Sequence, residues 1–432
     1  MPAKKNIAPV ESDVMPDETT RQAILKAVFD MMDREPPVGE AYDIRVREMI
    51  ISACDEFAGR LSKDKKADLV NQLFSYVADY GPIQEFIDDP QVSEIMVNGH
   101  GQIFIEKFGE LILTEARYDN PLHVRFAINH IINPTGRFVN TFNPTVDSRL
   151  PDGSRVNIVI PPVSQQGPCI TIRKFLKDKL TIEQLINLGS LTEQMAEFLS
   201  VCVRARLNII VAGNTSSGKT TLLNILANYI PNHERIITIE DSAELSLQQT
   251  HKVSLEAQPP DYLGRGGVTV RDLVRNALRM RPDRIIVGEC RGGETIDMLQ
   301  AMNTGHDGSL TTIHSNSPRD TLSRLETTAL MSGLEIPVMA IRRQIASAVD
   351  LIVYLNRFPD GSRKITQISE VNGMEGDIVT MTDLYLFEQQ GVDEHGRVKG
   401  IFRSTGLRPS FSDALKAMGF KLDAMLFSSR PR

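Results

Sequence analysis

The N-terminal part of the chain carries apolar residues at helical spacing in three separate stretches. Within each stretch they recur every three or four positions, which places them on one face of a helix. The three sets are Ile24, Leu25, Val28, Phe29 and Met32; Ile44, Val46, Met49, Ile50, Ala53 and Phe57; and Leu69, Leu73, Val77 and Tyr80. We predict a helical module over residues 19–88 that buries these faces together. Residues 1–18 are polar and without periodicity, so we expect a disordered tail.

Residues 89–175 show a pattern of short strands mixed with one helix. SEIMVNGH, QIFIEKF, GELILTEA and ITIRKF are apolar-rich segments bounded by turn residues, as strands are. A helix is predicted over residues 121–132, with Pro121 in its first turn. NPTVDSRLPDGSRVNIVI is predicted to be a loop with a tight turn at residues 151–153. The pattern indicates an α+β domain, and a linker is predicted over residues 176–190.

From residue 191 onward, nearly continuous apolar runs alternate with helical patterns. The runs are LNIIVAG (207–213), RIITIED (235–241), RIIVGE (284–289) and SLTTIH (309–314). Helices are predicted at about 220–229, 269–280 and 293–304. This alternation is typical of a parallel central sheet covered by helices, an α/β fold. After Asp350 the pattern predicts antiparallel strands around the turn Pro359-Asp360-Gly361.

Composition and charge narrow the range of partners. The 432 residues carry a net charge of −7, which disfavours nucleic-acid binding because phosphate backbones require a basic surface. No apolar run approaches the roughly 18 residues of a membrane span, and the N-terminus lacks the apolar core of a signal peptide. Cys54, Cys169, Cys202 and Cys290 are far apart and predict neither a disulfide frame nor a zinc site. A cytoplasmic protein is expected.

The strand at 207–213 leads into a phosphate-binding loop that matches GxxxxGK[ST]. A helix follows it, which is the context that such a loop requires. Its glycines let backbone N–H groups converge on phosphates, Lys219 can reach the β- and γ-phosphates, and the Thr220 hydroxyl can bind Mg²⁺. The predicted ATP-binding residues are Gly213, Asn214, Thr215, Ser216, Ser217, Gly218, Lys219, Thr220 and Thr221. The alternative is a Gly/Ser-rich turn with a chance lysine.

Acidic residues follow two of the predicted strands at the edge that carries this loop. Glu289 ends one strand and is the best candidate to orient or activate the attacking water. Many ATPases have Asp-Glu here, whereas this chain has Gly288-Glu289. Support of Mg²⁺ is therefore assigned to Glu240 or Asp241 of the other strand. The alternative is that these carboxylates cap the helices that follow.

A histidine and several arginines complete the candidate chemistry. His314 ends the strand at 309–314, where it can sense a γ-phosphate or hold a catalytic glutamate; a structural histidine is the alternative. Arg149, Arg155 and Arg173 lie outside the core and suit a γ-phosphate contact across a cleft, unless they are surface arginines. Arg271, Arg275 and Arg279 share a predicted helix face, which could contact a partner, another subunit or solvent.

Seven stretches together resemble the secretion ATPases of bacterial type II and type IV secretion systems and type IV pili. They are SEIMVNGHGQIFIE, VDSRLPDGSRVNIVIPP, GPCITIRKF, AGNTSSGKTTLLN, TIEDSAEL, RMRPDRIIVGECRGGET and TGHDGSLTTIHSNSP. The similarity extends from about Glu94 to Gly419 and is greatest to the CpaF/TadA-type ATPases of the tight-adherence pilus. The chain lacks the CxxC…CxxC motif of some type II relatives, which favours the pilus or type IV secretion branches.

The resemblance implies a RecA-like P-loop ATPase core, preceded by an α+β domain and a helical module. GNTSSGKT corresponds to the Walker A loop, and RPDRIIVGE to a Walker B motif in which Gly-Glu is normal. TIEDSAEL corresponds to the Asp box, with Glu244 as a catalytic candidate, and TGHDGSLTTIH to the His box. Arg155 and Arg173 correspond to arginines that the N-terminal domain brings to the nucleotide.

The resemblance also implies partners. Family members form homohexameric rings in the cytoplasm, at the inner membrane, and act on a polytopic membrane platform protein that moves pilin subunits. The implied function is an ATP-driven motor for pilus assembly. A type IV secretion ATPase, a nucleotide-gated scaffold with little hydrolysis and a nucleic-acid translocase are the alternatives.

Overall fold

The chain divides into two compact units, Met1–Lys177 and Asp178–Arg432. The structure, a computed structural model, describes residues 15–35, 37, 41–58, 61–107, 110–175, 180–258, 260 and 265–428. None of the helices in these ranges has the length and apolar content that a bilayer crossing requires. The predicted tail over residues 1–14 and the linker residues 176–179 lie outside the described residues.

The first unit begins with helices, the first three of which share one apolar core. They are α1 (Glu18–Arg34), α2 (Tyr42–Ala58), α3 (Lys63–Val77), α4 (Gln84–Asp88) and, further along the chain, α5 (Pro121–Ile132). Asp17 caps α1 by accepting from the Thr20 N–H, so the helix begins inside the predicted tail. Phe126 of α5 lies in the same core as α1 to α3, which joins the helical module to the domain that follows.

Two predicted members of the α2 stripe are exposed. Ile44 and Phe57 are 65% and 42% exposed, whereas Val46 and Ile50 are buried. The buried face follows an i, i+4 spacing from Tyr42, and Ile44 lies about 200° around the helix from Val46, so it faces away from the core. Tyr80, predicted for the third stripe, lies beyond the end of α3.

A six-stranded antiparallel sheet forms the rest of the described first unit, in the order β3-β2-β1-β6-β5-β4. Its strands are β1 (Val92–Asn98), β2 (Gln102–Lys107), β3 (Glu110–Leu113), β4 (Thr145–Arg149), β5 (Arg155–Val159) and β6 (Cys169–Arg173). The loop prediction for NPTVDSRLPDGSRVNIVI was wrong, since this segment forms the β4–β5 hairpin. Polar residues alternate with few apolar ones here, and the buried position of β4 is itself a serine, Ser148, which hides the strand signal.

The second unit contains a nine-stranded sheet in its described residues, ordered β15-β14-β13-β12-β7-β11-β10-β8-β9. The strands are β7 (Ile209–Gly213), β8 (Ile236–Glu240), β9 (Lys252–Glu256), β10 (Arg284–Val287), β11 (Leu310–His314), β12 (Leu351–Arg357), β13 (Arg363–Glu375), β14 (Ile378–Val392) and β15 (Val398–Ser404). Strands β7, β8, β10 and β11 pair in parallel, as predicted, and β9, which was not predicted, pairs in parallel with β8. The β12–β13 hairpin is confirmed, but β12 also pairs in parallel with β7, because it is buried inside the sheet.

Helices cover both faces of this sheet, which confirms the α/β fold. They are α6 (Ile182–Asn187), α7 (Glu193–Arg204), α8 (Lys219–Ala227), α9 (Val270–Ala277), α10 (Glu294–Asn303), α11 (Pro318–Leu330), α12 (Val338–Ala348) and α13 (Ser412–Ala417). Ile209 and Val211 face one apolar core, and Ile210 and Ala212 face the other. The predicted linker contains α6, whose Ile182, Leu185 and Ile186 pack on the first of these cores.

Candidate active site

The phosphate-binding loop joins the buried strand β7 to the start of α8. A Cβ on Gly213 would collide with the Leu355 carbonyl oxygen, so only glycine fits where β7 passes β12. Gly218 has a φ of 94° and precedes the first residue of α8, Lys219. Thr220 and Thr221 follow in the first turn of α8, and the N-terminus of this helix faces the loop. This geometry suits an anion at the helix N-terminus.

Residues of the β12–β13 hairpin hold the loop in place. Asn214 Nδ2 donates to Asn356 Oδ1 at 2.8 Å, and Arg363 Nε donates to the Ser216 carbonyl at 2.9 Å. Ser216 has a φ of 58°, in the left-handed region. Thr215 and Ser216 are exposed at the loop tip, whereas Ser217 is buried. The sequence predicted the loop but not these supports, which lie more than 140 residues away along the chain.

Lys219 has a buried ammonium group. Its Nζ donates to the Asn214 carbonyl at 2.9 Å and lies 3.3 Å from His314 Nδ1 and 3.5 Å from Nε2. Burial lowers the pKa of Lys219 to about 8, although the charge of Glu289 partly counteracts this. A desolvated ammonium that contacts a carbonyl and an imidazole gains strongly from an anionic ligand.

A chain of polar contacts leads from Lys219 across three neighbouring strands. His314 Nε2 lies 3.2 Å from Glu289 Oε1, and Arg291 contacts Glu289 Oε2 through Nε at 2.9 Å and Nη2 at 2.7 Å. Arg291 Nη1 lies 3.6 Å from Asp241 Oδ2. Burial and the charge of Lys219 lower the pKa of His314. A neutral imidazole can accept from Lys219 through Nδ1, whereas Glu289 Oε1 is buried without a hydrogen-bond partner among the described residues, so its 3.2 Å approach to Nε2 is a close contact and not a hydrogen bond.

Glu240 occupies the position next to Gly288. Its Oε1 accepts from the backbone N–H groups of Glu244 at 2.8 Å and Leu245 at 3.0 Å. A Cβ on Gly288 would lie 3.0 Å from Glu240 Cγ, closer than ordinary packing allows. The Gly-Glu pair therefore leaves room for the buried Glu240 carboxylate, and this carboxylate fixes the loop that carries Asp241 and Glu244.

The pocket fits a Mg²⁺–nucleotide. Ser217 Oγ and Asn214 Oδ1 are buried without a hydrogen-bond partner among the described residues. The Thr220 hydroxyl, the carboxylates after β8 and Glu289 offer the oxygen ligands that Mg²⁺ prefers, directly or through water. The structure therefore brings together the loop, Glu240, Glu244, Glu289 and His314 at the carboxyl edge of one sheet, as a parallel sheet requires.

Arg149, Arg155 and Arg173 lie side by side in the first unit. Arg155 of β5 pairs in register with Arg149 of β4 and with Arg173 of β6. Directly opposed residues share a face of the sheet, so the three guanidinium groups form one row. Glu94 of β1 continues the row opposite Arg173, with its Oε1 3.9 Å from Arg173 Nε. Three guanidinium groups on one face of a sheet suit an anionic ligand.

The arginines predicted to share a face of α9 contact other residues of the second unit. Arg271 and Arg275 both contact Asp297 of α10, at 2.7 Å and 2.8 Å. Arg271 also donates to the Ser332 carbonyl. Arg279 lies beyond the end of α9. The prediction that all three arginines share one helix face is therefore wrong. Arg271 and Arg275 instead pack α9 against α10.

Arg291 is the site residue that sequence reasoning missed. It lies two positions after Glu289, inside the stretch VGECRGGET. Its side chain is 61% exposed, and the sequence signal is that of an ordinary surface arginine. Its position is the informative feature, because a cation so close to the end of a buried strand can reach carboxylates at the same edge of the sheet.

Residues 77–390 match the family model of the type II/IV secretion system proteins. This is more than half of the chain and includes residues of both units. The chain belongs to this family. It is 34% identical over 328 residues to the type IV secretion system protein VirB11 of Brucella abortus, covering 67% of this chain and 87% of the relative. It is 32% identical over 291 residues to the conjugal transfer protein TrbB of Rhizobium radiobacter, covering 66% and 86%.

Among solved structures, the chain is similar to the VirB11 ATPase of the Brucella suis type IV secretion system. The identity is 30%, the match covers 67% of this chain and 95% of that chain, and the TM-score is 0.38. The family model and the VirB11 relative of Brucella abortus confirm the secretion-system family predicted from the seven stretches. The assignment to the CpaF/TadA-type branch stays a prediction.

Proposed function

We propose that this chain is a Mg²⁺-dependent ATPase that acts as a homohexameric motor for assembly of a Tad-like type IV pilus. The observation that carries the proposal is the contact chain from Lys219 through His314 to Glu289 beside the phosphate-binding loop. Lys219 begins α8, His314 ends β11 and Glu289 follows β10, and the three groups meet where a γ-phosphate would lie. A scaffold that only binds nucleotide has no need of an imidazole between the loop lysine and a carboxylate.

Each group has a role in the proposed reaction. The loop backbone, Arg149 and Lys219 bind ATP phosphates, and Thr220 and Glu240 hold Mg²⁺, Glu240 through water. Bound Mg²⁺ supplies charge neutralisation at the phosphates. Glu289 orients the attacking water and accepts its proton, and His314 fixes the Glu289 carboxylate through the 3.2 Å contact. Glu244 is a second catalytic carboxylate, close enough for its charge to raise the pKa of Arg291.

The experiment is phosphate release from the purified full chain across a series of protein concentrations. We expect a rate that rises more steeply than linearly with concentration, because the ring must assemble. Glu289→Gln is the matched variant, and its turnover should fall about a hundredfold or more while nucleotide binding persists. Hydrolysis that survives this substitution would contradict the assignment. Binding without hydrolysis, even with membrane partners supplied, would identify a scaffold.

The row of arginines in the first unit supports a contribution from outside the P-loop core. We propose that Arg155 and Arg173 stabilise charge on the transferred phosphate. Arg155→Ala and Arg173→Ala should then reduce hydrolysis on the order of 10³-fold and leave nucleotide binding nearly unchanged. Lysine at either position should rescue only partly, since a point charge cannot form a bidentate contact. Unchanged turnover in both alanine variants would contradict this role.

The proposed location is the cytoplasmic face of the inner membrane, and the proposed partner is a polytopic platform protein of the pilus. The names of the relatives, a type IV secretion protein and a conjugal transfer protein, favour a secretion channel as the second candidate. A deletion strain separates the two. Loss of surface pili with intact macromolecular transfer supports the pilus motor, and the reverse phenotype supports the secretion ATPase.

A further inference from the structure

The Arg291 side chain lies among the carboxylates of the proposed Mg²⁺–nucleotide site. Two of its nitrogens contact the same oxygen of Glu289, Nε at 2.9 Å and Nη2 at 2.7 Å. Hydrogen bonding to Glu289 raises the pKa of Arg291, and the nearby charges of Asp241 and Glu244 add to this. The single guanidinium charge of Arg291 thus interacts with carboxylates that follow two different strands, β10 and β8.

The backbone at Arg291 is held, but the side chain reaches into solvent. The N–H groups of Arg291 and Gly292 both donate to Glu294 Oε1, at 2.5 Å and 2.7 Å. A Cβ on Gly293 would lie 2.7 Å from Ser332 Cα, so this turn is packed against the end of α11. The guanidinium itself is 61% exposed, against 18% for Glu289. The side chain can therefore leave Glu289 without a change in the fold.

We propose that Arg291 is a positioning residue that holds the Glu289 carboxylate in the nucleotide-free site and is displaced from it when Mg²⁺–nucleotide binds. The inference rests on the proposed function. Mg²⁺ held by Thr220 and Glu240 would place a second cation at the sheet edge that carries Arg291, and because like charges repel, the side chain gives up contacts as the metal enters. Once displaced, it leaves the Glu289 oxygen available for water, while His314 keeps its contact with the other oxygen.

Binding of a fluorescent ATP analogue to the full chain, titrated with Mg²⁺, tests this without relying on hydrolysis. Arg291→Ala removes the competing cation, so half-maximal binding should need roughly two- to five-fold less Mg²⁺, the range expected for an exposed ion pair. Turnover should fall about tenfold or more, because Glu289 is no longer oriented. Arg291→Lys keeps the charge but not the two-nitrogen contact. Its Mg²⁺ dependence should return to wild type, while turnover stays impaired.

Arg403→Ala is the matched control, because Arg403 forms a similar half-exposed pair with Glu388 at 2.7 Å on β14 and β15. Arg403→Ala should change neither the Mg²⁺ concentration needed for half-maximal binding nor the turnover. An unchanged Mg²⁺ requirement in Arg291→Ala would overturn the inference and make the pair an ordinary surface contact. Weaker analogue binding both with Mg²⁺ and with a chelator would also overturn it, since Arg291 would then bind the nucleotide directly. Wild-type protein that binds no analogue at all would instead refute the proposed function.

Discussion

Two arginine–glutamate pairs lie at opposite edges of the same sheet and have opposite surroundings. At the amino edge, Arg284 and Glu234 are 0% and 4% exposed, and Arg284 also donates to the carbonyls of Val203 and Gly308. At the carboxyl edge, Arg291 is 61% exposed and contacts Glu289. Burial and a hydrogen-bond partner for each guanidinium nitrogen make the first pair a structural support, whereas the second keeps a group that can move.

Other buried polar groups at the amino edge hold neighbouring segments of the second unit together. Gly308 has a φ of 82°, and a Cβ there would collide with the Arg284 guanidinium. Asn208 Oδ1 accepts from the N–H groups of Gly308 and Ser309, and its Nδ2 donates to the Ala348 carbonyl. These polar groups of Asn208, Gly308 and Ser309 are buried and hydrogen-bonded, whereas Ser217 and Asn214 at the carboxyl edge keep buried oxygens without a partner among the described residues. The amino edge of the sheet therefore acts as a structural support, and the carboxyl edge as the candidate binding site.

The largest effect should come from breaking the buried pair. Arg284→Met leaves the Glu234 carboxylate buried with only Arg206, whose Nη2 lies 3.2 Å from it. We expect the free energy of unfolding of the second unit to fall by about 3–5 kcal/mol, measured by urea denaturation. The double variant Arg284→Met with Glu234→Leu should recover most of this loss, since no buried charge remains. A loss under about 1 kcal/mol in the single variant would show that the pair is not a support.

Asp350, also at the amino edge, should make stability depend on pH. Its carboxylate accepts from the Asn208 N–H at 2.7 Å, and burial raises its pKa to about 6. Because the folded-state pKa lies above the unfolded value, the folded state binds more protons between about pH 4 and 6. Stability should therefore fall as pH rises through this window, by up to about 3 kcal/mol.

Asp350→Asn is the variant that tests this. Asparagine can present its Oδ1 to the Asn208 N–H and carries no charge to bury, so the pH-dependent loss should disappear. Urea midpoints measured from pH 4 to pH 8 for the two proteins give the difference. Parallel pH profiles would show that Asp350 is ionised at no cost in the folded chain.

Gly288→Ala tests how tightly the carboxyl edge is built. The new Cβ would lie 3.0 Å from Glu240 Cγ and would displace the carboxylate that holds the Glu244 and Leu245 N–H groups. A loss of about 1–3 kcal/mol in unfolding free energy is expected. Gly101→Ala is the control, because no atom lies within 4 Å of a Cβ built there. Equal stability of the two variants would mean that Glu240 shifts freely.

The chemistry at the carboxyl edge could largely be predicted, because it follows from where strands end. Lys219, Glu289 and His314 each lie at or just beyond the end of a continuous apolar run, and parallel strands bring such ends together. The contacts between them could not be predicted, since they depend on strand order and on rotamers. Arg291 was missed because exposed arginines are common, and nothing local distinguishes one that faces carboxylates from a neighbouring strand.

In the first unit, two strands could not be predicted, because their polar sequences show little of the apolar–polar alternation that indicates a strand. The β4–β5 hairpin has few buried positions, with Ser148 the only fully buried residue of β4. Without those strands the register that aligns Arg149, Arg155 and Arg173 cannot be predicted, although the three could be selected as arginines outside the core and two of them by the family resemblance. Long-range register depends on pairings that no short window of sequence contains.

The smallest effect should be that of Arg291→Ala on stability. Exposed ion pairs contribute about 0–1 kcal/mol, since solvent screens the charges and ordering two side chains costs entropy. We therefore expect the free energy of unfolding, measured in urea without nucleotide, to change by less than about 1 kcal/mol. A double-mutant cycle with Glu289→Gln would isolate the pair itself. A coupling of several kcal/mol would mean that the carboxyl edge holds a support like the pair formed by Arg284, and that Arg291 is not available to move.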